Sequence, residues 1–161
     1  MPDVSVVLPF RDAASTLEEA LDSIFAQRGV RLELIAIDDG SRDAGSALAQ
    51  RLAARHAALR VVRTEGVGIA RALQLGVEQA VTPLIARMDA DDIAHDDRLA
   101  RQLEQLARMP EVAALGTRVA CFPEADVGEG LARYVAWQNE LLMPEDHARQ
   151  LFVESPLCHA T

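Results

Sequence analysis

Apolar residues along this chain fall into two alternating rhythms. Predominantly apolar stretches of five or six, "VSVVLP" (4–9), "LELIAI" (32–37) and "LIARM" (84–88), have the length and closure of strands buried on both faces. Between them apolar positions recur every three or four residues, the spacing of one face of a helix. Leu17, Leu21, Ile24 and Phe25 make one such face, with Ser15 and Glu18 spaced as a capping box and Gly29 as a stop. An Ala- and Leu-rich helix to about His56 leads to a strand near "LRVVR" (59–63). Beyond it, Ile69, Leu73, Val77 and Val81 form one ridge, with Ala72, Gly76 and Ala80 beside it as small residues expected against the sheet. Pro83 ends that helix. A further helix from about Asp97 to Arg108 directs Leu99, Leu103 and Leu106 inward, and "VAALG" (112–116) is expected to form a fifth strand.

Strand and helix in strict alternation predict an α/β fold, a mostly parallel sheet with helices on both faces. Ligands of such sheets bind beyond the carboxyl ends of the strands. After Thr117 the rhythm breaks into an extended piece and two short helices separated at Met143–Pro144, where Tyr134 and Trp137 are expected in the core. Residues 1–116 therefore read as a ligand-binding core and 117–161 as the start of a further region of the same domain.

Composition narrows the chemistry. The net charge of −9 argues against a duplex nucleic-acid partner, which requires a basic footprint. All 16 basic side chains are arginines, which excludes a P-loop and a Schiff-base lysine. Cys121 and Cys158 are too few and too distant for a disulfide framework, and Cys158 reads as a small buried hydrophobe. The N-terminal segment has neither a basic flank nor an apolar run of membrane-spanning length, so a cytosolic chain is expected.

Two acidic clusters fall at strand ends. "DADD" places Asp89 and Asp91 two residues apart just past a strand, where both can turn into one cleft. Carboxylates so close repel unless a cation compensates, and hard oxygen donors suit Mg²⁺ or Mn²⁺ together with substrate phosphates. The plainer alternative makes Asp91 and Asp92 solvated loop acids; Asp96 and Asp97 fit the role of helix N-terminal partners. At "DDGS" (38–41), Asp38 or Asp39 can accept from a base N–H or a ribose hydroxyl, or simply cap a turn that Gly40 permits. "EGVG" (65–68) opens a helix with G-x-G, and Asp89 follows Gly68 by about 20 residues, which also allows a nicotinamide-dinucleotide reading. Arg71 stands where the third glycine would be and could meet a diphosphate. His159 is a further candidate metal ligand. A receiver-like module also gathers acids at strand ends but needs a lysine.

Several segments in order resemble a bacterial family 2 glycosyltransferase of the GT-A, Rossmann-like fold. These are "VSVVLPFRDAASTLEEALDSIFAQ", "IAIDDGSRD", "GVGIARALQLGV", "IARMDADDIAHDDRLARQ" and "WQNELLMPEDHARQLFVESPLCHAT", so the likeness runs from Val4 to Thr161. The resemblance implies inverting transfer of a sugar from a nucleoside-diphosphate donor to the hydroxyl of a glycan or lipid-linked acceptor, in the synthesis of cell-surface polysaccharide or glycoconjugate. It places Pro9, Phe10 and Asp39 on the base and ribose, and Asp89 and Asp91 on ribose and metal, Mn²⁺ or Mg²⁺. It also implies peripheral association with the inner face of the membrane. Asp12 and Gln74 stand where the family commonly has Asn. The family's usual general base lies beyond Thr161, with Glu154 the nearest acid at that end, so the chain reads as a GT-A unit truncated at its C-terminus.

Overall fold

The computed structural model describes residues 1–158. Four strands, β1 (Val4–Phe10), β2 (Leu32–Asp38), β3 (Leu59–Arg63) and β4 (Ile85–Arg87), form one sheet of order β3-β2-β1-β4. All three pairings are parallel, with Val7 registered on Ile35 and on Arg87. The crossovers are α1 (Leu17–Phe25), α2 (Gly45–Ala53) and α3 (Ile69–Gln79), and α4 (Arg98–Arg108) follows β4. Contacts divide the chain into one compact unit at Met1–Glu104 and a second from Gln105 onward.

In the first unit every residue of β1 is buried, which is why its sequence shows no polar alternation. Alternate side chains serve opposite faces. Val6, Leu8 and Phe10 join Leu34, Leu17, Leu21, Ile24, Leu48, Leu52 and Leu99 in the larger cluster, which α1, α2 and α4 supply. Val7, Ile35 and Ile37 meet Ala72 of α3 on the other face. The α1 start differs from expectation: Thr16 is the N-cap, no side chain caps the helix, and the Thr16 hydroxyl donates back to the Ala13 carbonyl. The Ser15–Glu18 capping box therefore does not form.

The small residues of α3 face the sheet as expected: Ala72 and Gly76 are buried. Of the ridge, Leu73 packs beside them, whereas Ile69, Val77 and, just past the helix, Val81 are 58%, 45% and 67% exposed. The reason is distance: a Cβ on Gly76 would stand 2.2 Å from Val7 Cγ1, so the helix backbone itself rests on β1. A ridge of Leu and Val cannot occupy that gap.

"VAALG" forms no strand; residues 112–116 carry no sheet pairing, and β4 is the edge of the described sheet. Leu84 and Ile85 at that edge are 39% exposed each. The second unit holds a short 3-10 turn (Glu124–Asp126), α5 (Glu129–Glu140) and α6 (Pro144–Gln150). Tyr134 and Trp137 lean on each other with centroids 5.5 Å apart, but Tyr134 is exposed and Trp137 half-buried rather than core. Cys158 is likewise only half-buried. Short polar-flanked helices in this region bury few side chains, which leaves the aromatics at the surface.

Candidate active site

The carboxyl ends of β1 and β2 are knitted together by side chains from their own exit loops. The Asp39 amide continues the ladder by donating to the Phe10 carbonyl at 2.8 Å. Asp12 adopts φ 52, a left-handed conformation that Asp tolerates better than most residues. From there its Oδ1 accepts the amides of Arg42 (2.6 Å) and Asp43 (3.3 Å), while its own amide donates to the Ser41 hydroxyl. Asp43 returns the contact by accepting the Ala14 amide at 2.7 Å. The Arg42 amide, opposed by burial and helped by the Asp43 amide and Arg11, holds the Asp12 carboxyl below its ordinary range.

Asp38 and Asp39 point to different places. Asp38 is fully buried and accepts from the Ser41 amide (2.8 Å) and Arg63 (2.9 Å). Burial pushes its carboxyl up, but the bonds from Ser41 and Ser46 and the Arg63 charge together hold it below the usual value. Asp38 does not line the cleft, so its expected contact with a nucleotide gives way to a structural role tying β2 to β3. Asp39 does line it. Its Oδ1 accepts the Thr64 hydroxyl (2.5 Å) and the Val67 amide (2.7 Å), and its Oδ2 accepts the Gly68 amide (2.9 Å). The Thr64 bond, against a smaller effect of burial and with the two amides, lowers the Asp39 carboxyl.

These bonds also decide the G-x-G segment. A dinucleotide fingerprint leaves its loop amides free for a pyrophosphate. Here the amides of Val67 and Gly68 already serve Asp39, and the loop follows β3 rather than the first strand. The nicotinamide reading is overturned on both counts.

A cavity of about 320 Å³ opens at this edge, lined by Pro9, Phe10, Arg11, Asp39, Gly68, Ile69 and Ala72. It is apolar along Phe10, Ile69 and Ala72 and carries one acid and one base at Asp39 and Arg11. Arg71, a candidate diphosphate contact, lies elsewhere: it is exposed and pairs with Glu78 at 3.3 Å across the outer face of α3. Arg11 takes the cationic place instead. Its signal in the sequence was its position just after the last residue of a buried strand, on the ligand-binding edge.

The acidic loop leaves β4 next door. Val7 is registered on Arg87, and the Met88 amide donates to the Val7 carbonyl, so the chain enters the acidic loop one residue past the last ladder bond to β1. Asp89 is half-buried, Asp91 exposed and Asp92 half-buried. Burial first, then Asp91 and Asp89, push the Asp92 carboxyl up, with Arg98 and Arg87 pulling the other way. The two arginines thus oppose the mutual repulsion of these acids but do not cancel it at Asp92. Arg87 was legible in principle, because the same two-residue period that aligns Asp89 with Asp91 aligns Arg87 with Asp89.

The donor set of Asp89 and Asp91 fits a hard divalent ion that takes its remaining ligands from phosphate and water. Among the described residues, the three potential ligands whose atoms lie within 4.8 Å of one another are His95, Asp96 and Asp97, one loop further on. Asp96 there pairs with Arg28 (3.0 Å) and Asp97 with Arg101 (2.6 Å), which makes them the ion-paired start of α4. His159 lies outside the described residues. In the second unit, Glu154 is exposed and accepts the Ser155 amide, and a separate cavity of about 300 Å³ is bordered by Cys121, Glu124, Val127, Ala132 and Val135. That cavity contains none of the residues expected to bind a ligand.

Comparison with known proteins bears on the family and the fold. The profile "Glycosyl transferase family 2" matches residues 5–160. The succinoglycan biosynthesis protein ExoO of Rhizobium meliloti is 36% identical over 65% of this chain and 30% of its own length. The amylovoran biosynthesis glycosyltransferase AmsE of Erwinia amylovora is 30% identical over 75% of this chain and 47% of its own. The mannosyltransferase PcManGT of Pyrobaculum calidifontis, solved with GDP-Man and Mn²⁺, superposes with a TM-score of 0.64 at 30% identity, over 74% of this chain and 36% of that one. The chain thus spans between about a third and a half of the length of these relatives.

Proposed function

The chain belongs to glycosyl transferase family 2, and on that premise we propose that it binds a nucleoside-diphosphate sugar for metal-assisted transfer of the sugar to an acceptor hydroxyl. The observation that carries this reading is a juxtaposition. Pro9 and Phe10, at the end of β1, wall a nucleoside-sized cavity, and β4 pairs with β1, so the loop that carries Asp89 and Asp91 starts from the neighbouring strand.

In this reading Phe10, Ile69 and Ala72 provide apolar surface for the base. Asp39, held rigid by Thr64, Val67 and Gly68, keeps one unused lone pair, on Oδ2, for a base N–H or ribose hydroxyl. Arg11 supplies positive charge at the rim. Asp89 and Asp91 hold a divalent cation; bound with the diphosphate, it would stabilise the negative charge that develops on the leaving group. Transfer proceeds with inversion, which needs a general base on the acceptor hydroxyl. The reading assigns that base to an acidic residue outside these 161 residues. Mn²⁺ is the first cation to try, because the archaeal mannosyltransferase was solved with it.

We assign the product to polysaccharide or glycoconjugate synthesis, with relatives named for succinoglycan and amylovoran in support. The working position is the cytoplasmic side of the membrane, reached by peripheral association. No helix among the described residues is long and apolar enough to cross a bilayer.

Calorimetry with UDP-, GDP- and dTDP-sugars, with and without Mn²⁺, tests the reading. Metal-dependent binding of one donor class, lost on Asp91→Ala, is expected. Binding of no donor, or binding indifferent to both Mn²⁺ and Asp91→Ala, would overturn it.

A further inference from the structure

Asp89 is not free in this structure. Arg87, the last residue of β4 and two before Asp89, meets it fork to fork: Nε donates to Oδ1 at 3.1 Å and Nη2 donates to Oδ2 at 3.2 Å. Both side chains are about three-quarters covered, at 26% and 29% exposed. The pair is thus removed from most solvent screening, and both carboxylate oxygens are engaged at once.

The strand end beneath the pair is fixed. Arg98, itself only 7% exposed, donates to the Arg87 carbonyl at 2.8 Å, to Met88 Sδ at 3.3 Å and to Gln102 at 3.2 Å. The backbone carrying Arg87 and Asp89 is therefore pinned from behind, and the freedom left is in the Arg87 side chain.

From this geometry we infer that Arg87 is the counter-ion of Asp89 in the cation-free protein, and that it sets the affinity of the site by having to leave Asp89 before a divalent ion can bind. The inference rests on the donor-and-metal reading above. A divalent ion needs an Asp89 oxygen at about 2.1 Å. A guanidinium left in its fork would then sit within about 4 Å of that ion, where like charges in a partly buried site repel strongly. Arg87 and the cation compete for one carboxylate. Arg87 acts through Asp89 and is a positioning residue, not a catalytic one.

Mn²⁺ alone, titrated into the full-length protein and followed by the electron paramagnetic resonance of free Mn²⁺, tests this without reference to activity. Arg87→Gln is expected to tighten Mn²⁺ binding by about 3- to 10-fold, the scale of one charge-assisted ion pair. Arg87→Lys keeps the charge but loses the fork, so it is expected to tighten binding by a smaller factor. It also carries the test should Arg87→Gln fail to fold. Binding that is unchanged or weakened in Arg87→Gln, yet still lost in Asp91→Ala, overturns this inference alone. Tightening in Arg87→Gln with none in Arg87→Lys reduces the effect to a long-range field and also overturns it. Absence of Mn²⁺ binding in every form, or binding indifferent to Asp91→Ala, overturns the metal assignment and this inference together.

Discussion

Val7 and Gly76 leave no room between them for a single added carbon: a Cβ on Gly76 would lie 2.2 Å from Val7 Cγ1 and 3.1 Å from its Cγ2. Because Val7 is itself fixed in the central strand, α3 would have to lift to accept a side chain. Overpacking of this kind costs about 1–3 kcal/mol, and the better helix propensity of alanine returns only ~1 kcal/mol. Gly76→Ala should therefore lower the urea midpoint at unchanged slope. It should also weaken nucleotide binding, because α3 carries Ile69 and Ala72 of the cavity wall.

Asp39 makes stability depend on pH in a defined window. Its carboxyl is lowered from an ordinary value of 3.8, first by the Thr64 hydroxyl and then, against burial, by the amides of Val67 and Gly68. A depressed carboxyl contributes stability that is fully present above its unfolded value and is lost as pH falls through the folded one. Urea midpoints of the wild type should thus fall below about pH 4. Asp39→Asn at neutral pH leaves a bonded amide facing an NH₂ group, at a cost of about 1–3 kcal/mol. The gap between the two proteins should narrow as the medium is acidified; a gap that stays constant from pH 6 to pH 2 would count against this account.

Asp12 holds the loops after β1 and β2 together from a left-handed backbone. Asn can take the same conformation and offers the same acceptor oxygen, so Asp12→Asn should change nucleotide affinity little. Asp12→Val removes the acceptor and places a β-branched residue at φ 52, so it should weaken both affinity and thermal stability. Paired titrations of the two variants check the ordering.

The outer face of α3 should tolerate polarity. Val77 and Val81 are 45% and 67% exposed, so Val77→Thr and Val81→Thr should each shift stability by less than about 0.5 kcal/mol. Had these residues packed on the sheet, a hydroxyl there would be buried and would cost several times more. Chemical denaturation of the two single variants distinguishes the cases.

The sequence determined the strand–helix alternation, because a strand buried on both faces must be apolar throughout and a crossover helix must be apolar on one stripe. It therefore placed β1 through β4 within a residue or two, and from them the edge where ligands collect. Asp39 and Phe10 at the cavity follow from that edge alone. Tertiary structure decided what local pattern could not express. How much of the α3 ridge joins the small residues against the sheet depends on how closely two backbones approach: with Gly76 on Val7, Leu73 packs there while Ile69 and Val77 stay exposed. Segment 112–116 has a strand's composition, but a strand exists only through hydrogen bonds to a neighbour, and none pairs with it in the described sheet. Asp38 and Asp39 are adjacent and chemically identical, yet the pleat turns one into the interior and the other into the cleft. Arg87 and Asp89 were visible as letters two apart; that they bind each other, and so compete with any cation, is a matter of two side chains meeting at about 3 Å.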